Sequence, residues 1–138
     1  MSYDAKGCFL SRGPMATEQT LLVVDDDRNV LPALTALLEV HSSYHVLSAS
    51  GFVAAVNLLE GGRVDLLVVD AVLPKPHSGK EIAHVARAVR PDTAIVLTTA
   101  DWKPNLGAFP DGTVFLPKPF GVKQLLAAIA VAVANVRR

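Results

Sequence analysis

Apolar residues in this chain fall into short continuous runs, separated by segments whose apolar positions recur at three- and four-residue spacing. The runs at 21–25, 64–69 and 94–98 are rich in Val, Leu and Ile and read as strands buried on both faces. Residues 44–49 and 113–116 supply two more strands. Between them, a helix is predicted from about 28 to 40, with Leu31, Leu34, Leu37 and Leu38 on one face. Pro32 falls near its first turn, where a missing N–H costs least. Further helices are predicted over 52–59, ended by Gly61-Gly62, over 80–89, ended before Pro91, and over 122–136. Strands alternating with helices predict an α/β fold: a doubly wound, five-stranded parallel sheet with helices on both faces. In such sheets a binding site lies outside the carboxyl ends of the strands.

A length of 138 residues predicts one domain with a real core, here residues 20–138 behind an N-terminal tail of 1–19. Met15-Ala16-Thr17 would itself make a start, so part of that tail reads as an extension. Half of the residues (51%) are hydrophobic and 19% are charged, which excludes a disordered body. A formal net charge of zero gives no footprint for nucleic acid, and Lys118, Lys123, Arg137 and Arg138 after Asp111 suit the end of a helix. Cys8 has no partner within the chain for a disulfide, which points to the cytoplasm. The longest apolar run, 125–134, falls short of the roughly 20 residues a bilayer span requires, so no membrane role is expected.

The chemistry gathers at strand ends. Leu21-Leu22-Val23-Val24 runs straight into Asp25-Asp26-Asp27, and the third strand ends in Asp70. Adjacent carboxylates repel unless a cation or positive side chain lies between them. Hard oxygen ligands on neighbouring strands suit Mg2+, which accepts one or two carboxylates together with phosphate oxygens. Thr98-Thr99 and Lys118 close the fourth and fifth strands, and a metal, a lysine and a hydroxyl can each hold one phosphoryl oxygen while a carboxylate attacks in line.

With these residues in this order, the chain resembles the receiver domain of two-component response regulators, of the chemotaxis-regulator type, over roughly residues 20–138. The resemblance implies the flavodoxin-like strand order 2-1-3-4-5. It makes Asp70 the phosphoacceptor, Asp25 and Asp26 the acidic pair for Mg2+ with Asp26 the direct ligand, and the backbone carbonyl of Val72 a further ligand. Thr99, followed by small Ala100, matches the switch hydroxyl; Lys118-Pro119-Phe120 matches the Lys-Pro-Phe signature, with a Lys-Pro bond usually cis in the family. Phe115 stands where the family places the aromatic that rotates on phosphorylation. Implied partners are a sensor histidine kinase or phosphotransfer protein and a downstream protein target, with a homodimer as an option.

Two departures stand out. Leu73-Pro74-Lys75-Pro76-His77-Ser78-Gly79 is one residue longer than the common Met-Pro-x-Met-Asp-Gly loop. The stretch from Thr99 to Lys118 is shorter than usual, and Trp102, Pro104, Gly107 and Pro110 make the fourth helix of the family short or irregular. Asp101, two past Thr99, is placed to tune decay of an acyl phosphate. His77 lies in the loop after Asp70 and is a candidate to approach the site. The acids also admit plainer readings. Asp27 suits an N-cap; a calcium loop starting at Asp25 fails because Val30 stands where glycine is required and Ala36 where the bidentate Glu belongs. The alternative function is a receiver-like interaction module that signals without phosphorylation. A haloacid-dehalogenase-type hydrolase fits Asp25-x-Asp27 only superficially, since no carboxylate follows Lys118.

Overall fold

The computed structural model describes residues 18–100 and 109–137. Five strands, β1 (Thr20–Val24), β2 (His45–Ala49), β3 (Leu66–Asp70), β4 (Ala94–Thr99) and β5 (Val114–Pro117), form one sheet. All pairings are parallel and the order is β2-β1-β3-β4-β5, as expected. The helices are α1 (Val30–His41), α2 (Phe52–Gly61), α3 (Gly79–Val89) and α4 (Val122–Val136).

The two-residue period of a strand sorts side chains to the two faces. Leu22, Val24, Leu67, Val69, Ile95 and Leu97 pack against Ala55 and Leu59 of α2 and Ile82, Ala83 and Ala86 of α3. Their neighbours Leu21, Val23, Leu66, Val68 and Val96 turn the other way, onto Leu34 and Leu38 of α1 and Leu125 and Ile129 of α4. Both faces of β1, β3 and β4 are therefore covered, which explains why these strands are continuously apolar. Along α4, Leu125, Ala128, Ile129 and Ala132 are buried while Val131 is half exposed, so burial against the sheet accounts for most of its apolar surface.

Local chemistry sets the element ends. The helix expected from 28 starts at Val30, because Asp27 Oδ1 accepts the N–H groups of both Asn29 (2.8 Å) and Val30 (3.2 Å) and holds the preceding turn. The second helix runs through Gly61 rather than stopping at Leu59, with Gly62 extended as its cap. At α3, Ser78 Oγ accepts the Glu81 N–H while Glu81 Oε1 accepts the Ser78 N–H, a reciprocal capping box. Gly112 takes φ +81° in the turn before β5, a conformation that glycine adopts without strain.

The third strand opens at Leu66, not Val64, and the reason is Asp65. Its buried carboxylate accepts the Thr20 N–H (2.9 Å) and pairs with Arg63 Nε and Arg90 Nη2, both at 3.1 Å. This ties the starts of β1, β3 and β4 together at the amino-terminal rim. Residues 101–108, where the irregular fourth helix, Asp101 and Trp102 fall, lie outside the described residues, as does nearly all of the tail. Residues 109–113 are turn and coil.

Candidate functional site at the carboxyl rim

Strand register decides which polar groups meet. Val24 pairs with Val69, so the residues that follow, Asp25 and Asp70, leave adjacent strands side by side. Asp70 in turn pairs with Thr98, and Thr99 with Pro117, which brings Lys118 to the same rim. The Lys118 N–H donates to the Thr99 carbonyl at 2.8 Å, and the Lys118–Pro119 bond is cis.

Carboxylate oxygens of Asp25, Asp26 and Asp70 lie within 4.8 Å of one another, close enough for a single small cation. Asp25 is 1% exposed, Asp70 is buried and Asp26 is open to solvent. Lys118 Nζ stands 3.1 Å from Asp70 Oδ2 and 3.5 Å from Asp25 Oδ2, bridging the two buried acids. Asp70 Oδ1 accepts the Val72 N–H at 3.2 Å, and Asp25 Oδ1 accepts the Asp27 N–H at 2.9 Å. Among the described residues, these contacts leave Asp26 as the most accessible member of the cluster.

Burial pushes the Asp25 carboxyl above its ordinary value; the Asp27 N–H opposes this, the charge of Asp70 adds to it, and Lys118 opposes it. For Lys118, burial disfavours the charge, but the hydrogen bond and charge of Asp70, joined by Asp25, outweigh that loss and raise its pKa. Lys118 therefore stays protonated across the physiological range.

A carboxyl whose folded-state pKa is raised favours folding below its unfolded value, near 3.8, and loses that contribution as pH rises through the folded value. Asp25→Asn is accordingly expected to melt higher than wild type at pH 7 in the absence of divalent cations, by on the order of 1 kcal/mol. The advantage should shrink as pH falls toward 4, where Asp25 takes up its proton anyway. Thermal melts at several pH values check this, and a gain independent of pH contradicts the electrostatic account.

An open groove at this rim is lined by Asp26, Asp27, Asp70, Val72, Leu73, Pro74, Ala100 and Lys118. Val72 is 71% exposed at its lip. Thr99 is the last residue of β4 and is buried; its neighbour Ala100 lines the groove. Phe115 is half buried on β5 and meets Phe109 edge to face, with ring centroids 5.1 Å apart. His77 does not line the groove; its imidazole stacks on Phe52 instead.

One participant escaped the sequence reading. A Cβ on Gly79 would collide with the carbonyl oxygen of Asp70, and the Gly79 N–H donates to the Ala71 carbonyl at 3.1 Å. The first residue of α3 thus braces the backbone of Asp70 directly. Its signal in the sequence was the glycine that closes the loop after Asp70, where the common receiver pattern also ends in glycine.

Residues 21–130 match the response regulator receiver domain family. The chain is 35% identical over 112 residues to the response regulator MprA of Mycobacterium sp. (strain KMS), covering 78% of this chain and 47% of that protein. It spans about half the length of the curated relatives it matches. Among solved structures, a response regulator receiver protein from Sinorhizobium medicae is similar with a TM-score of 0.76 and 25% identity, covering 86% of this chain and 96% of that one. The response regulator TrrA of Thermotoga maritima, crystallised in complex with Mg2+–BeF, gives a TM-score of 0.70 and 26% identity, covering 83% and 98%.

Proposed function

This chain belongs to the response regulator receiver domain family of two-component signalling, and from that premise we propose that Asp70 accepts a phosphoryl group in a Mg2+-dependent reaction. The observation that carries the reading is the convergence of three carboxylates within 4.8 Å with Lys118 between the two buried ones. Asp25, Asp26 and Asp70, with the backbone carbonyl of Val72, would hold the cation; TrrA, a similar protein, was crystallised in complex with Mg2+–BeF. When bound, Mg2+ supplies a Lewis acid that offsets charge on the transferring phosphoryl oxygens.

The chain's own residues do the rest. One carboxylate oxygen of Asp70 attacks phosphorus while the bond from phosphorus to the donor nitrogen breaks, and the electron pair leaves with that nitrogen. The donor is the phosphohistidine of a sensor histidine kinase or of a phosphotransfer protein. Lys118, already 3.1 Å from Asp70, follows the negative charge onto a phosphoryl oxygen. Thr99 offers its hydroxyl to another oxygen by turning toward the groove, and Phe115 responds on β5, carrying the change to the surface that a downstream partner or a second copy meets. Water ends the signal by attacking the acyl phosphate. The reading places the protein in the cytoplasm, beside the kinase domain that would supply it; among the described residues no helix is long and apolar enough to cross a membrane.

The deciding experiment uses acetyl phosphate as donor and Phos-tag electrophoresis as readout. Incubation with Mg2+ is expected to yield one slower-migrating species that decays on dilution and is absent when EDTA is present. No shift under saturating acetyl phosphate and Mg2+ sinks the reading.

A further inference from the structure

Residues 71–78 connect Asp70 to α3, and Val72, Leu73 and Pro74 among them line the groove. Their inner side is fixed by Leu73, which is buried, and their base by the hydrogen bond from Gly79 N–H to the Ala71 carbonyl. Within the loop, the His77 N–H donates to the Pro74 carbonyl at 3.3 Å. On the outer side the imidazole of His77 lies flat on Phe52, the first residue of α2, with ring centroids 3.7 Å apart and planes 5° from parallel. Nδ1 of the same ring is 3.3 Å from Glu81 Oε1, the oxygen that accepts the Ser78 N–H and completes the α3 cap. One side chain therefore joins the start of α2, the loop and the first turn of α3.

The side chain of Val72 is exposed, so beyond the N–H it donates to Asp70 Oδ1 its place depends on how the loop on either side is held. We infer that His77 is a positioning residue for the site: its stack on Phe52 holds the loop so that the Val72 backbone stays where the cation requires it. The inference rests on the phosphoacceptor reading and adds a residue that touches neither cation nor phosphoryl group. Flat ring contact, rather than ionisation, is the property used, and this dictates the test. A support that orients a ligand without touching the metal is felt in affinity.

Mg2+ alone, titrated by calorimetry, is the probe, with acetyl phosphate labelling and thermal melting run on the same proteins. His77→Ala and Phe52→Ala are each expected to weaken Mg2+ binding about three- to tenfold. The double variant should be no weaker than the worse single, because both remove one contact. His77→Phe, which keeps a flat ring and loses the imidazole nitrogens, should restore binding to within about twofold of wild type. Unchanged affinity in His77→Ala overturns the inference, and so does a His77→Phe variant as weak as His77→Ala. A wild-type protein that binds no Mg2+ and takes no phosphoryl group fails at the earlier step, and thereby overturns the phosphoacceptor reading itself.

Discussion

Asp70→Asn is expected to abolish the phosphorylated species formed from acetyl phosphate while leaving the fold intact. Asparagine keeps the shape and an oxygen for the Val72 N–H, so the local hydrogen bond at 3.2 Å survives. What it loses is the anionic oxygen, and a neutral amide is not a nucleophile toward phosphorus at this site. Lys118 retains Asp25 as a partner at 3.5 Å, and Asp25 is relieved of one like charge. Melting within a few degrees of wild type is therefore expected, and Phos-tag gels should show only the fast band. Asp26 is exposed and close, which makes it the natural candidate for bypass. A shift of undiminished intensity in Asp70→Asn assigns the phosphoryl group elsewhere.

The largest stability effect is expected at Gly79. Its missing side chain is what allows α3 to begin against the carbonyl of Asp70; an added methyl group would overlap that oxygen and crowd the Ala71 backbone. Neither neighbour is a flexible side chain that can swing aside, so helix and strand must separate. Overpacking of this kind costs about 2–4 kcal/mol, a fall in Tm on the order of 10 °C for a domain of this size. Gly79→Ala should also phosphorylate poorly, because the displaced group carries the acceptor. Gly51→Ala is the control: a Cβ there meets nothing within 4 Å, and its stability should stay close to wild type. If both variants melt alike, the brace at Gly79 is not what holds Asp70.

The sheet was legible because its strands are covered on both sides, which forces unbroken Leu, Val and Ile runs such as Leu21 to Val24. Strand and helix limits drifted by a residue or two wherever a side chain competed with the ladder, as Asp65 and Asp27 do. Asp25, Asp26, Asp70 and Lys118 could be read from residue type and strand-end position, and the structure brings them together. Thr99 shows the limit of that logic: its place on the strand was readable, whereas its burial depends on which way the last residue of β4 faces. The stack of His77 on Phe52 joins residues that no helical or strand period relates, so it emerges only from the packing of α2 beside the loop. Gly79 looked like an ordinary loop glycine because close approach to a carbonyl leaves no trace in the residue itself.

The position of β1 between β2 and β3 reaches into biosynthesis. A ribosome that has delivered everything up to α2 has made Asp25 and Asp26, yet one edge of β1 still lacks the neighbour that lies beyond residue 61. Pairing across such separations is slow compared with helix formation. A stalled nascent polypeptide ending before Asp70 should thus be blind to magnesium, and the first protection by the ion during translation would mark the moment when the third strand docks.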